Sequence, residues 1–444
     1  MRSPSSNDQN REGSTDDAAD DYPEGGLKAW LVVVGSWCSM FSIYGLINTS
    51  AVFESYFKAN LLKDYSYSQI GWIFSLYLFL VFFVGVLVGP VFDRFGPRLL
   101  VAGGCFLIVL SLMLLGLSNS ELQCSVSADS QWFDQDEIAF YQTILTYSVL
   151  GGLGGALLNA PAYSAIAHFF HARRGLATGI ASTAGGIGGT VLPLLFQHLS
   201  GEGGVGFAWS CRIMGFLMLG LAVPANLFIR SRKSAKMRGT DQTKLSSVWP
   251  EFSIFREPRF ALASVGYFFM EIGLFAPLTY IISYATSYDM STSDSFLLLS
   301  FFNAGSVVGR FLTGLLADIF GRFNVIIITI ALCVVTVLGI WLPCDGSRGV
   351  LITFAVAFGV ASGSNLSLIP VCLGQFCESQ HYGRYFATAT MFASFGTLIS
   401  VPIAGALLDV GDESTGWTAL IIFSGCAYLV ALICYSTVRI MTVG

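Results

Sequence analysis

Two charged side chains stand inside long apolar runs. Glu271 lies in the middle of the run 260–284, and Arg310 lies within 294–317. A charge at membrane depth costs roughly 2.5–3.5 kcal/mol on insertion scales, so such residues pair with one another, line a polar cavity or carry function. Counted from the ends of the two runs that face the same side, Glu271 is eleven residues in and Arg310 seven. At ~1.5 Å per residue the two depths differ by about 6 Å, which an Arg side chain can bridge. The two are therefore expected to interact. A cavity pair that binds an anionic substrate or a proton is one reading, and a structural pair that locks two helices is the other.

Other polar residues share these helix faces. Asn303, Ser306 and Arg310 fall at i, i+3 and i+7 of one run, and Tyr267, Glu271 and Phe275 share a face of another. Tyr44 and Asn48 do so in the first run, and Asn365 lies in the tenth. Arg310, Glu271, Asn48, Tyr44, Asn303 and Asn365 are thus the candidate substrate-binding residues, in a polar cleft with aromatic walls. For Tyr44 and Asn365, hydrogen bonding between helices is the alternative. No nucleophile–base set, phosphate loop or metal cluster is found, so no catalytic residue, cofactor or metal is expected. The ten Cys form no Cys-x-x-Cys, and His168 and His171 read as part of a basic turn.

The elements that must hold these residues follow from composition. The chain has 444 residues, 54% hydrophobic and 11% charged, with mean hydropathy +0.67. Soluble domains carry about 25% charged residues, and nothing here resembles the basic stripe of a nucleic-acid binder. Apolar runs of about 20 residues cross a bilayer as helices. Such runs lie near 29–53, 69–91, 98–118, 138–165, 174–199, 207–229, 260–284, 294–317, 323–343, 349–372, 384–407 and 417–440. Residues 1–24 are polar and acidic, lack a signal-peptide core and read as a disordered cytosolic tail. The expected organisation is a six-helix half over 25–229, a cytosolic central loop over 230–259 and a second six-helix half over 260–440.

The basic residues set the sidedness. With a cytosolic N-terminus, eighteen of the 23 Lys and Arg fall inside and only Lys58, Lys63 and Arg348 outside. This is a strong positive-inside bias. It places both termini in the cytosol. Arg212 sits at a membrane edge.

The two halves repeat one another. After the second run comes Gly89-Pro-Val-Phe-Asp93-Arg94-Phe-Gly96-Pro-Arg98, and after the eighth comes Gly314-Leu-Leu-Ala-Asp318-Ile-Phe-Gly321-Arg322, at a constant offset of 225 residues. Two copies at matching short turns are the mark of a transporter repeat. A fainter echo is Arg174-Gly-Leu-Ala-Thr-Gly against Arg384-Tyr-Phe-Ala-Thr-Ala. Gly175-x3-Gly179, Gly185-x3-Gly189 and Gly151-x3-Gly155 read as surfaces of close helix approach.

The two Gly-x-x-x-Asp-x-x-Gly turns resemble the signature loop of the major facilitator superfamily. Pro23-Glu24-Gly25-Gly26-Leu27-Lys28-Ala29-Trp30 resembles the acidic-Gly-Gly-aromatic-x-Trp motif that opens its monocarboxylate transporter (monocarboxylate porter) family. Phe169-Phe170-His171-Ala172-Arg173-Arg174-Gly175-Leu176-Ala177-Thr178-Gly179 is similar to that family's aromatic, basic, Leu-Ala-x-Gly motif. The likeness covers about 22–440 and is greatest to the fungal branch. Some positions depart from it. The opening motif has one extra residue, and Leu27 stands for an aromatic. The span-one Lys of proton-coupled carriers corresponds to Asn48, and their span-eight Asp to Ser306, while their Arg matches Arg310. Simple lactate–proton symport therefore does not follow.

The resemblance implies an all-α membrane protein of twelve transmembrane helices in two six-helix halves, the major facilitator fold. It implies a secondary active carrier, not an enzyme. The substrate would be a small organic molecule (monocarboxylate-like, riboflavin-like or another organic anion), moved by alternating access. The alternative is an efflux carrier for a secondary metabolite of a biosynthetic gene cluster, and a non-transporting membrane receptor is the reading from another class. Gly89, Asp93, Arg94, Gly96, Arg98, Asp318, Gly321 and Arg322 would form the conformational turns, with Asp318 the milder because its turn departs further from the pattern. Expected partners are a small-molecule substrate, with or without protons, and the lipid bilayer, with no nucleic acid and no obligate protein partner. The plasma membrane is the expected location.

Overall fold

A computed structural model describes residues 22–117, 135–232 and 252–443, apart from Ser66, Glu202, Asp409 and Gly411. The tail over 1–21, the acidic segment 119–134 with Cys124, and the basic residues within 233–251 lie outside the described residues. Twelve helices are long and apolar enough to cross a membrane. They are α1 Gly26–Asn48, α2 Gln69–Phe95, α3 Arg98–Leu115, α4 Ile138–Phe169, α5 Arg174–Ser200, α6 Gly206–Phe228, α7 Pro258–Ser287, α8 Leu297–Phe320, α9 Arg322–Trp341, α10 Arg348–Leu373, α11 Ser379–Leu408 and α12 Ser414–Thr442. Each overlaps a run that hydropathy placed, and no strand occurs among the described residues. The chain is an all-α, multi-pass membrane protein.

Lipid cannot hydrogen-bond a bare backbone, which is why each crossing closes its own ladder as a helix. Pro161, Pro193, Pro277, Pro370 and Pro402 nevertheless lie inside α4, α5, α7, α10 and α11. The carbonyls that Pro193, Pro277 and Pro370 leave without a ladder donor, those of Gly189, Gly273 and Leu366, accept instead from Asn303 Nδ2 at 3.2 Å, the Ser424 hydroxyl at 2.8 Å and the Tyr163 hydroxyl at 3.0 Å. α1 and α10 are the most enclosed crossings and α6 the least. Large apolar side chains such as Leu99, Phe106, Phe216 and Ile433 point outward, where a bilayer would solvate them.

Sequence neighbours are not always spatial neighbours. α7 packs mainly on α11 and α12, whereas α8 packs on α10 and α5. Two helix pairs carry most of the contact between the first six crossings and the last six, α5 with α8 and α2 with α11. These pairs correspond under the 225-residue repeat, in which α2 answers α8.

Candidate functional site

Between the two sets of six helices lies a cavity of about 460 Å³, the open space at its mouth included. Tyr44, Ile47 and Asn48 of α1, Leu78 and Phe82 of α2, Leu274, Phe275 and Leu278 of α7, Phe302, Ser306 and Arg310 of α8, and Ser362 and Leu366 of α10 line it. Eight of these thirteen are apolar, Arg310 is the single charge, and no carboxylate is among them. Apolar walls with a few converging polar groups are the usual make-up of a small-molecule site.

Arg310 is held toward α5. It is buried, and its guanidinium Nη1 donates to Ser182 O at 2.6 Å. It lies against Gly185, where a Cβ would overlap Nη1 and stand 2.9 Å from Tyr44 Cβ. Nε finds no protein partner. Asn48 Nδ2 donates to Gly185 O at 3.1 Å, and Tyr44 donates its hydroxyl to Asn159 Oδ1 at 2.9 Å.

The expected Glu271–Arg310 pair does not form. Glu271 is 1% exposed, and neither of its carboxylate oxygens has a hydrogen-bond partner. The reason is topological. α7 turns toward α12, where Tyr428 packs on Gly273 and Tyr435 on Gly266. Glu271 therefore sits among tyrosines, with Tyr44, Tyr163, Tyr267, Tyr428 and Tyr435 in electrostatic range, while Arg310 turns to α5. Glu271 lies one turn below the cavity-lining Leu274 and Phe275 but does not line the cavity.

The remaining sequence candidates divide. Asn303 bridges α8 to α5, donating to Gly189 O at 3.2 Å, with its Oδ1 unpartnered. Asn365 is fully buried and donates to the Tyr428 hydroxyl at 3.4 Å, outside the cavity wall. Arg310, Tyr44 and Asn48 are thus brought together, and Glu271, Asn303 and Asn365 are packed around them.

Below the cavity the signature turns clamp the two sets of helices. Asp93 accepts from the backbone N–H of Gly383 at 3.1 Å and of Arg384 at 2.9 Å, at the start of α11. Asp318 accepts from the N–H of Gly175 and of Leu176, both at 2.8 Å, at the start of α5. A carboxylate on the free N–H groups of a helix N-terminus is favoured by charge and by hydrogen bonding. Each Asp therefore caps the helix on which the second, fainter echo lies. The two caps are alike in hydrogen-bond geometry. Gly89 and Gly314 bring the backbones together, since a Cβ on either would overlap a carbonyl, Gly383 O and Gly175 O respectively. Gly96 and Gly321 end their helices at φ of 81° and 93°, where L side chains are strained. Arg322 donates to His171 O, while Arg94 lies over the Phe95 ring at 4.9 Å and Arg98 is exposed.

A sequence model described as Major Facilitator Superfamily matches residues 32–377 and 297–440. The chain belongs to the major facilitator superfamily. It is a membrane transporter with relatives in fungi. Among them are the MFS-type transporter opdF of Penicillium oxalicum, 36% identical over 95% of this chain and 92% of its own, and the Fujikurins efflux protein of Gibberella fujikuroi, 34% identical over 95% and 86%. The riboflavin transporter MCH5 of Saccharomyces cerevisiae is 30% identical over 99% and 83%. In fold the chain is similar to a bacterial homologue of the iron transporter ferroportin, with TM-score 0.69, 14% identity and 93% and 99% coverage. It is also similar to the transporter FucP, with TM-score 0.63, 15% identity and 92% and 99% coverage.

Several parts of this facilitator were not read from its sequence as functional. Glu24 closes the α4–α5 turn, accepting from the N–H of His171, Ala172 and Arg173 at 2.8, 2.7 and 3.2 Å. Residues 22–24, read with the tail, thus make specific contacts. Tyr163 joins α4 to α10 through Leu366 O at 3.0 Å. Arg174 and Arg384, counted among the basic residues of the cytosolic side, are 2% and 6% exposed. Burial was invisible because both stand at helix starts, where hydropathy windows place water.

Proposed function

We propose that this carrier moves an organic anion with an apolar body by alternating access. Its two six-helix halves, 25–229 and 260–440, would rock about the central cavity. One observation carries the reading: a buried guanidinium as the single charge of a mostly apolar cavity, with no carboxylate in ion-pair range among the described residues. An unpaired buried cation is costly, and a carboxylate or enolate on the substrate would neutralise it. Charged hydrogen bonds to such a group are among the strongest available. Membership of the monocarboxylate porter family, suggested by 23–30 and 169–179, is compatible with this chemistry. The charge bias supports placing both termini and the signature-turn face in the cytosol; the plasma membrane is the proposed location.

Efflux of a fungal secondary metabolite is the second reading, favoured by the names of the Gibberella relative and of the Aspyridones efflux protein apdF of Emericella nidulans, 31% identical over 91% of this chain. The test is transport in proteoliposomes across a panel of aromatic and aliphatic acids, their neutral amides and riboflavin. Uptake of acids but not amides, lost in Arg310→Leu, is expected. Equal transport of acid and amide by both proteins would reject the anion reading.

A further inference from the structure

Ser379 opens α11, yet its partners belong to the first six helices and the segment before them. We propose that Ser379 is the latch of the turn face, a positioning residue that must release four partners before the cavity opens on that side. The inference rests on the alternating-access reading. The Ser379 hydroxyl donates to Ala167 O at 3.2 Å, accepts from Arg174 Nη2 at 3.2 Å and meets the Tyr22 hydroxyl at 2.6 Å. Its carbonyl faces His168 Nε2 at 2.8 Å. One proton and two lone pairs are all that a serine hydroxyl offers, so this hydroxyl is fully engaged across the divide.

The partners are themselves held in place. Arg174 is buried and further bound to Phe170 O at 3.0 Å, Ala167 O at 3.2 Å and Gly374 O at 3.1 Å. Its guanidinium also lies 5.6 Å from the Tyr382 ring. Tyr22 reaches Ser379 because Glu24 pins the chain to the α4–α5 turn, and the Tyr22 ring lies 5.2 Å from that of His171. The Asp93 and Asp318 caps are related by the internal repeat, but this latch is not. In the Arg174/Arg384 echo the position equivalent to Ser379 is Phe169, which has no hydroxyl. The latch is therefore specific to one side of the turn face, and the segment before α1 is part of it.

The experiment places spin labels on the exposed positions Arg173 and His381, introduced as Arg173→Cys and His381→Cys in a cysteine-depleted background. Distance distributions are read without substrate. A hydrogen bond is worth about a 2- to 12-fold change in an equilibrium. Ser379→Ala should enlarge the long-distance, turn-face-open population by at least that factor. Tyr22→Phe should shift it the same way and less, while Ser379→Thr, which keeps the hydroxyl, should match the parent. Transport should show the maximal rate altered more than the half-saturation concentration. Unchanged distributions in both Ser379→Ala and Tyr22→Phe would overturn the latch. Because the distances need no substrate, a shift without detectable transport of the acid panel would uphold the latch and reject the organic-anion reading instead.

Discussion

Alanine at Gly89 tests whether the clamp under the cavity is the closed end of a cycle. Its Cβ would overlap Gly383 O and stand 2.6 Å from the Ala387 Cβ. Neither neighbour is a flexible side-chain tip, so the helices must move apart. Overpacking of this kind costs typically about 1–3 kcal/mol. The contact joins α2 to α11, so separation of the two sets of helices relieves it, and the cost falls on the clamped conformation alone. A differential cost of about 1–3 kcal/mol moves a two-state equilibrium by roughly 5–150-fold. The Arg173/His381 label pair reads that shift directly. Gly314→Ala should act alike, because its Cβ would overlap Gly175 O and stand 3.0 Å from the Gly179 Cα. Gly220→Ala, with no atom within 4 Å of the added carbon, is the control. If Gly89→Ala and Gly220→Ala give the same distance distribution, the reasoning is refuted. Opening that is absent in Gly314→Ala alone would restrict the clamp to the α2–α11 side.

Three further outcomes are expected. Asp93→Asn and Asp318→Asn should slow turnover by similar factors with little change in half-saturation, since each carboxylate caps two N–H groups; selective loss of apparent affinity would contradict the capping role. Arg310→Leu and Glu271→Gln should change thermal stability additively, because the two groups do not touch; a coupling above about 0.5 kcal/mol in the double-mutant cycle would restore the ion pair. Glu24 titrates below its usual value: burial raises it, but the N–H groups of Ala172, His171 and Arg173, with the charge of His171, outweigh burial. A depressed folded value stabilises above the unfolded value and is lost as pH falls through the folded one. The melting-temperature gap between the parent and Glu24→Gln should therefore hold from neutral pH down to the ordinary carboxylate range and close below it, and a gap that persists unchanged well below that range would count against the cap.

Much of this protein was determined locally, and hydropathy alone specified it. Runs long enough to cross a bilayer must be helices, because lipid satisfies no backbone group. All twelve crossings were therefore legible, as were the turns at Asp93 and Asp318, whose constant spacing needs no contact to be seen. Arg310, Tyr44 and Asn48 were readable as cavity residues because helical period fixes which side chains share a face. Which face meets which neighbour was decided only in three dimensions. Depth along two helices could not show that α7 turns Glu271 toward the tyrosines of α12 while α8 turns Arg310 toward the glycines of α5. Nor could sequence show that each signature Asp reaches the opposite half's helix start, or that Ser379 is held by Tyr22 across 357 positions of chain. Such contacts depend on the docking of whole helices, set by glycine approaches and cap geometry at once, and no local pattern encodes them.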